Sequence, residues 1–352
     1  MNKRYQRTIY TKQDAGAFFM LSLFAPQFVG IAVAAILLFV SFFSGISFEN
    51  ITSNPIATIF LSLSAQVAFL LVFLLYNKVF RFNSKKASKI YFKNGFKNVL
   101  VAIIIGLITL YGFQFIVSFF DQLISLWGLP RTDFPLPLNT WYWLIINIVL
   151  LAFVPAVCEE LVFRGVIFNG LMQYKNLNKN KKNRAWIAII GSALLFALIH
   201  GSIEQTIYPI IFGIVLALLA YKTKSVVPGI IAHFANNAFV LTMNFLYQTQ
   251  GVNDSINFGS DFNYYFWGTV IALVSGVLIW LLLKLLTQNK QAVLPETNPE
   301  VLTEQSGEQI VNEQIIVNFD IEALEKARKQ PNIYLWIGVG FGMLFWIVSL
   351  FS

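Results

Sequence analysis

The chain has 352 residues, of which 57% are hydrophobic and 12% charged, and its mean hydropathy is +0.66. A soluble domain could not cover so much apolar surface, so this composition excludes a soluble globular protein and indicates an integral membrane protein. The formal net charge of +8 would suggest nucleic acid in a soluble protein, but membrane topology explains the basic residues here and no nucleic-acid partner is expected.

Apolar stretches follow one another along the chain and predict an all-α fold, a polytopic transmembrane helical bundle of about eight to nine spans. A span needs about 20 apolar residues to cross a hydrocarbon layer of roughly 30 Å. The stretches that begin at Ala185 and Thr206 are short, so one of them could be re-entrant or tilted into a cavity. The candidate stretches are Ala17–Phe43, Ile56–Tyr76, Val99–Phe119, Trp141–Met172, Ala185–His200, Thr206–Tyr221, Val226–Phe245, Tyr264–Leu286 and Ile333–Phe351.

These stretches divide the chain into five segments, of which the second is predicted to be catalytic. The segment after the eighth stretch is rich in glutamate and contains prolines, which favours a solvated tether over a folded domain. The segments are residues 1–139 with three membrane helices, 140–246 with a catalytic core of four spans, 247–287 with a further span, 288–332 with an acidic cytoplasmic linker, and 333–352 with the last span.

Lysine and arginine are confined almost entirely to alternate loops between the stretches. The exceptions are Arg131, in a loop on the other side, and Arg164, inside a stretch. Tryptophan and tyrosine cluster near the loops that lack basic residues, as an outer aromatic belt would. By the positive-inside rule, the chain is predicted to be a multi-pass protein of the cell membrane with a cytoplasmic N-terminus.

The ionisable residues inside the stretches are the candidates for chemistry, because such groups are costly at membrane depth and usually functional. Glu159 and Glu160 are adjacent in one stretch, and Arg164 follows four residues after Glu160. The chain has only two histidines, His200 and His233, and both fall in apolar stretches.

Helix rise predicts that these groups lie at similar depths. Glu159 and His200 are each 16 residues from the nearest basic residue on the predicted cytoplasmic side, which corresponds to roughly 24 Å at 1.5 Å per residue. By the same measure Asn237 lies about 20 Å and His233 about 14 Å from that side. We therefore expect a carboxylate, two imidazoles and a carboxamide in one layer of the bilayer.

The spacing within the glutamate stretch separates two roles. Glu160 and Arg164 are at i and i+4 and are predicted to form an ion pair that serves structure and orientation. Glu159 points about 100° away from Glu160 and is left for chemistry. Pro155, four residues before Glu159, is expected to kink or split the helix and admit water.

The other stretches supply groups that complete a hydrolytic site. His233 and Asn237 share one helix face, and Phe196 and His200 share another, because each pair is at i and i+4. A carboxylate and an imidazole can deprotonate water, and a second imidazole with an amide can donate hydrogen bonds to the resulting oxyanion. The set of groups fits amide hydrolysis.

Three motifs occur in order and carry a family resemblance: EExxxR at residues 159–164, FxxxH at 196–200 and HxxxN at 233–237. Together they resemble the CPBP family of intramembrane proteases, which includes Rce1-like CAAX prenyl endopeptidases and bacterial proteins of the bacteriocin-immunity (Abi) type. The match covers roughly residues 140–245. The resemblance implies that Glu159 and His200 activate the water and that His233 and Asn237 hold the oxyanion, with supporting roles for Glu160, Arg164 and Phe196.

Zinc is the alternative to a metal-free mechanism, and the sequence leaves both open. Glu159, His200 and His233 could supply three ligands with a fourth position for water, although the chain has no HExxH motif. Because the same residues explain hydrolysis without metal, no cofactor is favoured.

Two other classes of protein compete with an endopeptidase. A proton-coupled transporter also uses carboxylates and histidines at membrane depth, but the chain shows no inverted repeat. A non-catalytic bacteriocin-immunity or peptide-binding membrane protein would use the same cavity. Cys158 is interpreted as a buried small side chain rather than a nucleophile. For the endopeptidase, the expected partner is a membrane-associated peptide or protein, prenylated or of signal type, bound at the lipid bilayer.

Overall fold

The computed structural model describes residues 6–91, 95–125, 137–173, 181–202, 206–250, 262–288, 326 and 330–349. Most of the predicted acidic linker 288–332 lies outside the described residues. Arg131 and Lys175, which belong to two different loops, also lie outside them. The described residues are almost entirely helical, and their only β-type pairing is an isolated bridge between Arg7 and Phe82.

The helices follow one another with short connections wherever the connection is described. The helix that carries the two glutamates is α6, and it is continuous from Trp141 to Leu171. The helices are α1 (Lys12–Ser44), α2 (Phe48–Thr52), α3 (Pro55–Val79), α4 (Ser84–Ala87), α5 (Gly95–Ser125), α6 (Trp141–Leu171), α7 (Lys181–Leu198), α8 (Ile207–Thr223), α9 (Val227–Gln250), α10 (Phe262–Leu285) and α11 (Ile333–Val348).

The long helices coincide with the predicted apolar stretches. Within the described residues, six helices are long and apolar enough to cross a membrane, namely α1, α3, α5, α6, α9 and α10. The helices α7, α8 and α11 are shorter apolar helices, and two of them are the stretches whose length suggested a tilted or re-entrant element. Large apolar side chains such as Phe28, Phe42 and Phe96 are exposed on the outside of the bundle. These features confirm the all-α polytopic bundle, and the chain is a multi-pass membrane protein.

Helix α6 lies at the centre of the bundle and contacts α1, α3, α7, α8 and α9. Val162, Phe163, Val166 and Ile167 are fully buried, although they point to different sides of the helix. A helix with apolar side chains on every face is buried on every face. The residues that follow Glu160 are therefore surrounded by protein rather than by lipid.

Helix α6 passes through Pro155 without a break, so of the two outcomes expected for this proline, a kink or a split, the split does not occur. Proline lacks an N–H donor and its ring clashes with the carbonyl four residues earlier. The chain relieves this conflict by widening, because Ile148–Phe153 is π-helical. A second π-helical segment, Leu161–Phe168, begins directly after Glu160. π-Helical segments are rare in proteins, and those that occur are often found at functional sites.

A buried polar network joins the start of α1 to the end of α3. The Arg7 guanidinium pairs with Asp14 at 3.0 Å, and the Tyr76 hydroxyl donates to the same carboxylate at 2.8 Å. The Tyr10 hydroxyl donates to the Asn77 side chain at 2.6 Å, and burial raises the pKa of Tyr10 above its usual value. The network fixes α1 against α3, and α3 in turn packs on α6.

The last helix packs closely against α1 and α7 through its glycines. A Cβ atom added at Gly338 would lie 2.8 Å from Phe19 Cδ1, and one added at Gly342 would lie 2.7 Å from Leu198 Cδ2. The GxxxG spacing therefore marks a close helix contact. Trp346 Nε1 also donates to Thr206 Oγ1 at 2.8 Å, just before α8.

We expect Gly106→Ala to destabilise the protein by about 1–3 kcal/mol, because it overpacks a helix contact. The new Cβ would lie 2.6 Å from the carbonyl oxygen of Ala232, so α5 would have to move away from α9. Gly276→Ala is the matched control, since a Cβ there meets no atom within 4 Å. Thermal unfolding in detergent checks the pair, and equal midpoints for both variants would contradict the close approach.

Candidate active site

The Glu160–Arg164 ion pair predicted from the i,i+4 spacing is present and fully buried. Arg164 Nη1 lies 2.6 Å from Glu160 Oε1, and both side chains are 0% exposed. Arg164 Nη2 donates to the carbonyl oxygen of Gly213 at 3.0 Å, and the guanidinium lies over the Phe196 ring at 4.6 Å. The positive charge of Arg164 is therefore stabilised by groups of three helices: a carboxylate of α6, an aromatic ring of α7 and a backbone carbonyl of α8.

His233 connects the two glutamates. Its Nδ1 lies 3.3 Å from Glu160 Oε1, and its Nε2 lies 4.0 Å from Glu159 Oε2. The side chain of His233 is 5% exposed, so the contact takes place inside the protein. Helix rise put Glu159 about 24 Å and His233 about 14 Å from the predicted cytoplasmic side, whereas the contact brings the two side chains to the same depth. The sequence did not indicate a bond between Glu160 and His233.

Glu159 accepts a hydrogen bond from a helix that is distant in sequence. Gln66 Nε2 donates to Glu159 Oε1 at 3.0 Å, which joins α3 to α6. The side chain of Glu159 is 12% exposed, whereas that of Glu160 is 0% exposed. The two adjacent carboxylates therefore have different surroundings, one paired with a cation and the other with a neutral amide.

Phe196 lies between the two histidines. Its ring meets the His200 ring at 5.1 Å and the His233 ring at 6.1 Å, both edge to face. Helix α7 ends at Leu198, so His200 lies in the turn that follows the helix, with its Nδ1 2.8 Å from the carbonyl oxygen of Phe196. Phe196 thus fixes the position of His200 and packs beneath Arg164.

A cavity of about 540 Å³ lies beside these residues and contains the other half of the predicted site. His200 and Asn237 line it, while Glu159 and His233 meet each other in the adjoining interior. Its lining combines apolar and polar side chains in equal number. The lining residues are Leu110, Gln114, Val117, Asp121, Leu151, His200, Tyr208, Pro209, Asn236, Asn237, Val240 and Leu241.

The hydrogen bonds of the histidines define which ring nitrogen carries the proton. Nδ1 of His200 faces a carbonyl oxygen and Nδ1 of His233 faces the Glu160 carboxylate, and both partners accept hydrogen bonds. Each Nδ1 is therefore the donor, which leaves Nε2 of the neutral ring as an acceptor. His233 can stabilise an oxyanion only when its Nε2 also carries a proton.

The described residues do not gather three metal ligands. Among them, no three His, Cys, Asp or Glu side chains come close enough together to hold one ion. The candidate zinc set contains one close pair, Glu159 and His233, and His200 lies at the cavity wall.

The comparisons with known proteins concern the segment that holds these motifs. Residues 141–239 match the family described as Type II CAAX prenyl endopeptidase Rce1-like. The motif-bearing segment is thus similar to this family, and it is called the Rce1-like segment below. The resemblance predicted from the three motifs is thereby confirmed for this segment, and α1 to α5 and α10 to α11 lie outside it.

One curated relative has a similar segment. The Bacillus subtilis (strain 168) protein named "Putative membrane peptidase YdiL" is 27% identical over 96 residues, which are 27% of this chain and 36% of that protein. The chain thus aligns with only about a third of the length of this relative. No solved structure matches the chain with significance.

Three polar residues near the Rce1-like motifs were not predicted. Asn236 donates to the carbonyl oxygen of Gly106 and to the Tyr208 hydroxyl, and both Asn236 and Tyr208 line the cavity. The third is Gln66, whose signal was available, because an amide in the middle of an apolar stretch is itself costly at membrane depth. Asn236 gave the same signal, as an amide in the middle of an apolar stretch, whereas Tyr208 lies near the end of its stretch and gave none.

We expect Glu160→Gln to destabilise the protein by about 3 kcal/mol or more, because it leaves the buried Arg164 cation without its counter-charge. Glu159→Gln is the matched control, since Glu159 pairs with a neutral amide and is partly exposed. Chemical or thermal unfolding in detergent compares the two. An equal loss in both variants would show that the ion pair does not distinguish the two glutamates.

Proposed function

We propose that the protein is an intramembrane endopeptidase that hydrolyses a peptide bond of a membrane-associated peptide or protein. The observation that carries the proposal is the convergence of the three ordered motifs. Glu159, Glu160 and His233 contact one another in the interior, and His200 and Asn237 line the adjoining cavity. The Rce1-like match over residues 141–239 supports the same activity.

Glu159 acts as the general base in this proposal. It takes a proton from water, whose oxygen attacks the carbonyl carbon of the peptide bond while His200 Nε2 accepts a hydrogen bond from the same water. The carbonyl electrons move to oxygen and form a tetrahedral oxyanion. The proton then passes from Glu159 to the amide nitrogen, the C–N bond breaks, and the products are a carboxylic acid and an amine.

His233 and Asn237 stabilise the oxyanion. In this proposal His233 donates from a protonated Nε2, which lies 4.0 Å from Glu159 Oε2, a separation that a single oxygen atom of water or substrate can bridge. Asn237 adds a neutral amide donor from the next turn of α9. Glu160 holds the ring of His233 through Nδ1, and Arg164 holds Glu160.

The cavity indicates the kind of substrate. Half of its lining residues are leucine, valine or proline, and the other half are polar. Such a lining suits a peptide with an apolar side chain or an attached lipid next to the cleaved bond. We therefore propose a prenylated or signal-type peptide, processed in the cell membrane by an enzyme whose N-terminus is cytoplasmic, as the distribution of lysine and arginine favours.

Removing the proposed base should abolish cleavage. We expect Glu159→Gln to lower kcat/KM at least about 100-fold and Asn237→Ala to lower it about 100-fold, since one removes the base and the other an oxyanion donor. The purified variants are assayed on a peptide library, and peptides from membranes and medium are compared by mass spectrometry with and without Glu159→Gln. A terminus that disappears in the variant identifies the substrate.

Cys158→Ala is the matched control, because Cys158 is the buried neighbour of Glu159. It should retain activity, whereas its inactivation would point to a thiol nucleophile. Full activity of Glu159→Gln contradicts the proposed mechanism. Ion flux without cleavage in reconstituted vesicles would assign the carboxylates to a proton-coupled transporter.

We propose that the reaction needs no metal, because the carboxylate and imidazole groups already supply a base and donors. Cleavage should therefore persist in the presence of chelators, and purified protein should contain no stoichiometric zinc. A bound ion that is lost on His200→Ala or His233→Ala, together with loss of activity on chelation, would establish a metal-dependent protease instead.

A further inference from the structure

Gln66 contacts the proposed base from outside the Rce1-like segment. It lies in the middle of α3, in the first third of the chain, 93 residues before Glu159. Its Nε2 donates to Glu159 Oε1 at 3.0 Å, a good hydrogen-bond length, in a partly buried setting. The contact links a helix of the N-terminal region to the residue on which the proposed reaction depends.

The orientation of the Gln66 carboxamide follows from its partner. An ionised carboxylate only accepts hydrogen bonds, so the NH₂ group must face Glu159 and the oxygen must point away from it. That oxygen is buried and has no hydrogen-bond partner in the part of the protein that the structure describes. It is thus a buried acceptor that no described group satisfies.

The bond makes the two oxygens of Glu159 unequal. Oε1 accepts from Gln66, whereas Oε2 faces His233 Nε2 at 4.0 Å. A water bound on Oε2 lies on the side where the oxyanion donor is. A water bound on Oε1 would have to compete with the amide of Gln66.

We propose that Gln66 is a positioning residue for catalysis, which holds Glu159 by Oε1 and leaves Oε2 as the oxygen that takes the proton from water. This inference rests on the proposed function. A glutamate side chain rotates about several bonds, and a displacement of about 1 Å at a reacting group can lower a rate about 100-fold. The hydrogen bond from α3 restricts that rotation.

The chemistry of the amide suits this role better than a charged group would. A lysine or arginine at position 66 would form an ion pair with Glu159 and make the carboxylate a weaker base. The amide donates a hydrogen bond and adds no charge. Glu160, which needs no basicity, is held by the Arg164 cation instead.

The test uses two substitutions at position 66 and one control on the same helix. Gln66→Met keeps the length of the side chain and removes the donor, and Gln66→Asn keeps the amide but shortens its reach by one methylene. Ser64→Ala is the control, because Ser64 is buried on α3 and its hydroxyl, among the described residues, donates only to Leu61 O within that helix. Steady-state kinetics on a cleaved peptide are measured together with the unfolding midpoint of each full-length variant.

We expect both position 66 variants to lower kcat about 10- to 100-fold with KM within about twofold of the wild type, because the substrate still binds and only the base is misplaced. Ser64→Ala should leave both constants unchanged. A kcat equal to the wild type in Gln66→Met or Gln66→Asn overturns the inference. A raised KM with unchanged kcat also overturns it, since it would assign Gln66 to substrate binding.

Glu159→Gln is assayed in parallel so that two kinds of failure can be told apart. An inactive Glu159→Gln with fully active position 66 variants overturns only the role of Gln66. An active Glu159→Gln, or a wild type that cleaves nothing, overturns both the role and the proposed function. If Gln66→Met fails to fold, the kcat and KM of Gln66→Asn alone decide whether Gln66 positions Glu159.

Discussion

A pair of opposite charges buried at the centre of the bundle sets the positions of the helices around it. Glu160 and Arg164 are both 0% exposed, and neither charge could remain there without the other. The pair also contacts a backbone carbonyl of α8, an aromatic ring of α7 and an imidazole of α9. Glycine allows these helices to come close. A Cβ at Gly229 would lie 2.9 Å from Glu160 Oε2, so a larger residue there would collide with the carboxylate.

The same packing separates two neighbouring carboxylates into different roles. Glu160 is locked by a cation and serves as an anchor for His233, while Glu159, one residue earlier, turns about 100° away and meets only a neutral amide and the far nitrogen of the imidazole. Two adjacent glutamates in one helix would repel each other if both were bare in an apolar medium. The Arg164 cation offsets that repulsion, so the buried ion pair allows the two carboxylates to lie side by side in α6.

Much of this arrangement could be predicted from the sequence, because it depends on local rules. Hydropathy gave the membrane helices, and i,i+4 spacing gave the Glu160–Arg164 pair. Helix rise put Glu159 level with His200, with Asn237 and His233 in the same layer of the bilayer. The π-helical turns on both sides of Val154–Glu160 could not be predicted, since a stretch that is apolar on all faces has no periodicity from which a change of winding could be detected. Gln66 was missed for another reason: its partner is distant in sequence, and the helix pair that joins them is fixed only by the packing of the whole bundle.

The distribution of the site over the chain limits what the Rce1-like segment can do alone. Residues 141–239 contain the three motifs, but Gln66 comes from α3, and one wall of the cavity comes from Leu110, Gln114 and Val117 of α5. Helix α11, also outside the segment, donates from Trp346 to Thr206, in the connection between His200 and α8. Within a membrane there is little hydrophobic drive between helices, so such specific bonds and close glycine contacts hold the bundle together. A segment that carried the motifs without these outer helices would leave Glu159 unrestrained and the cavity open on the side of α5, so the accessory helices are part of the site and not an attachment to it.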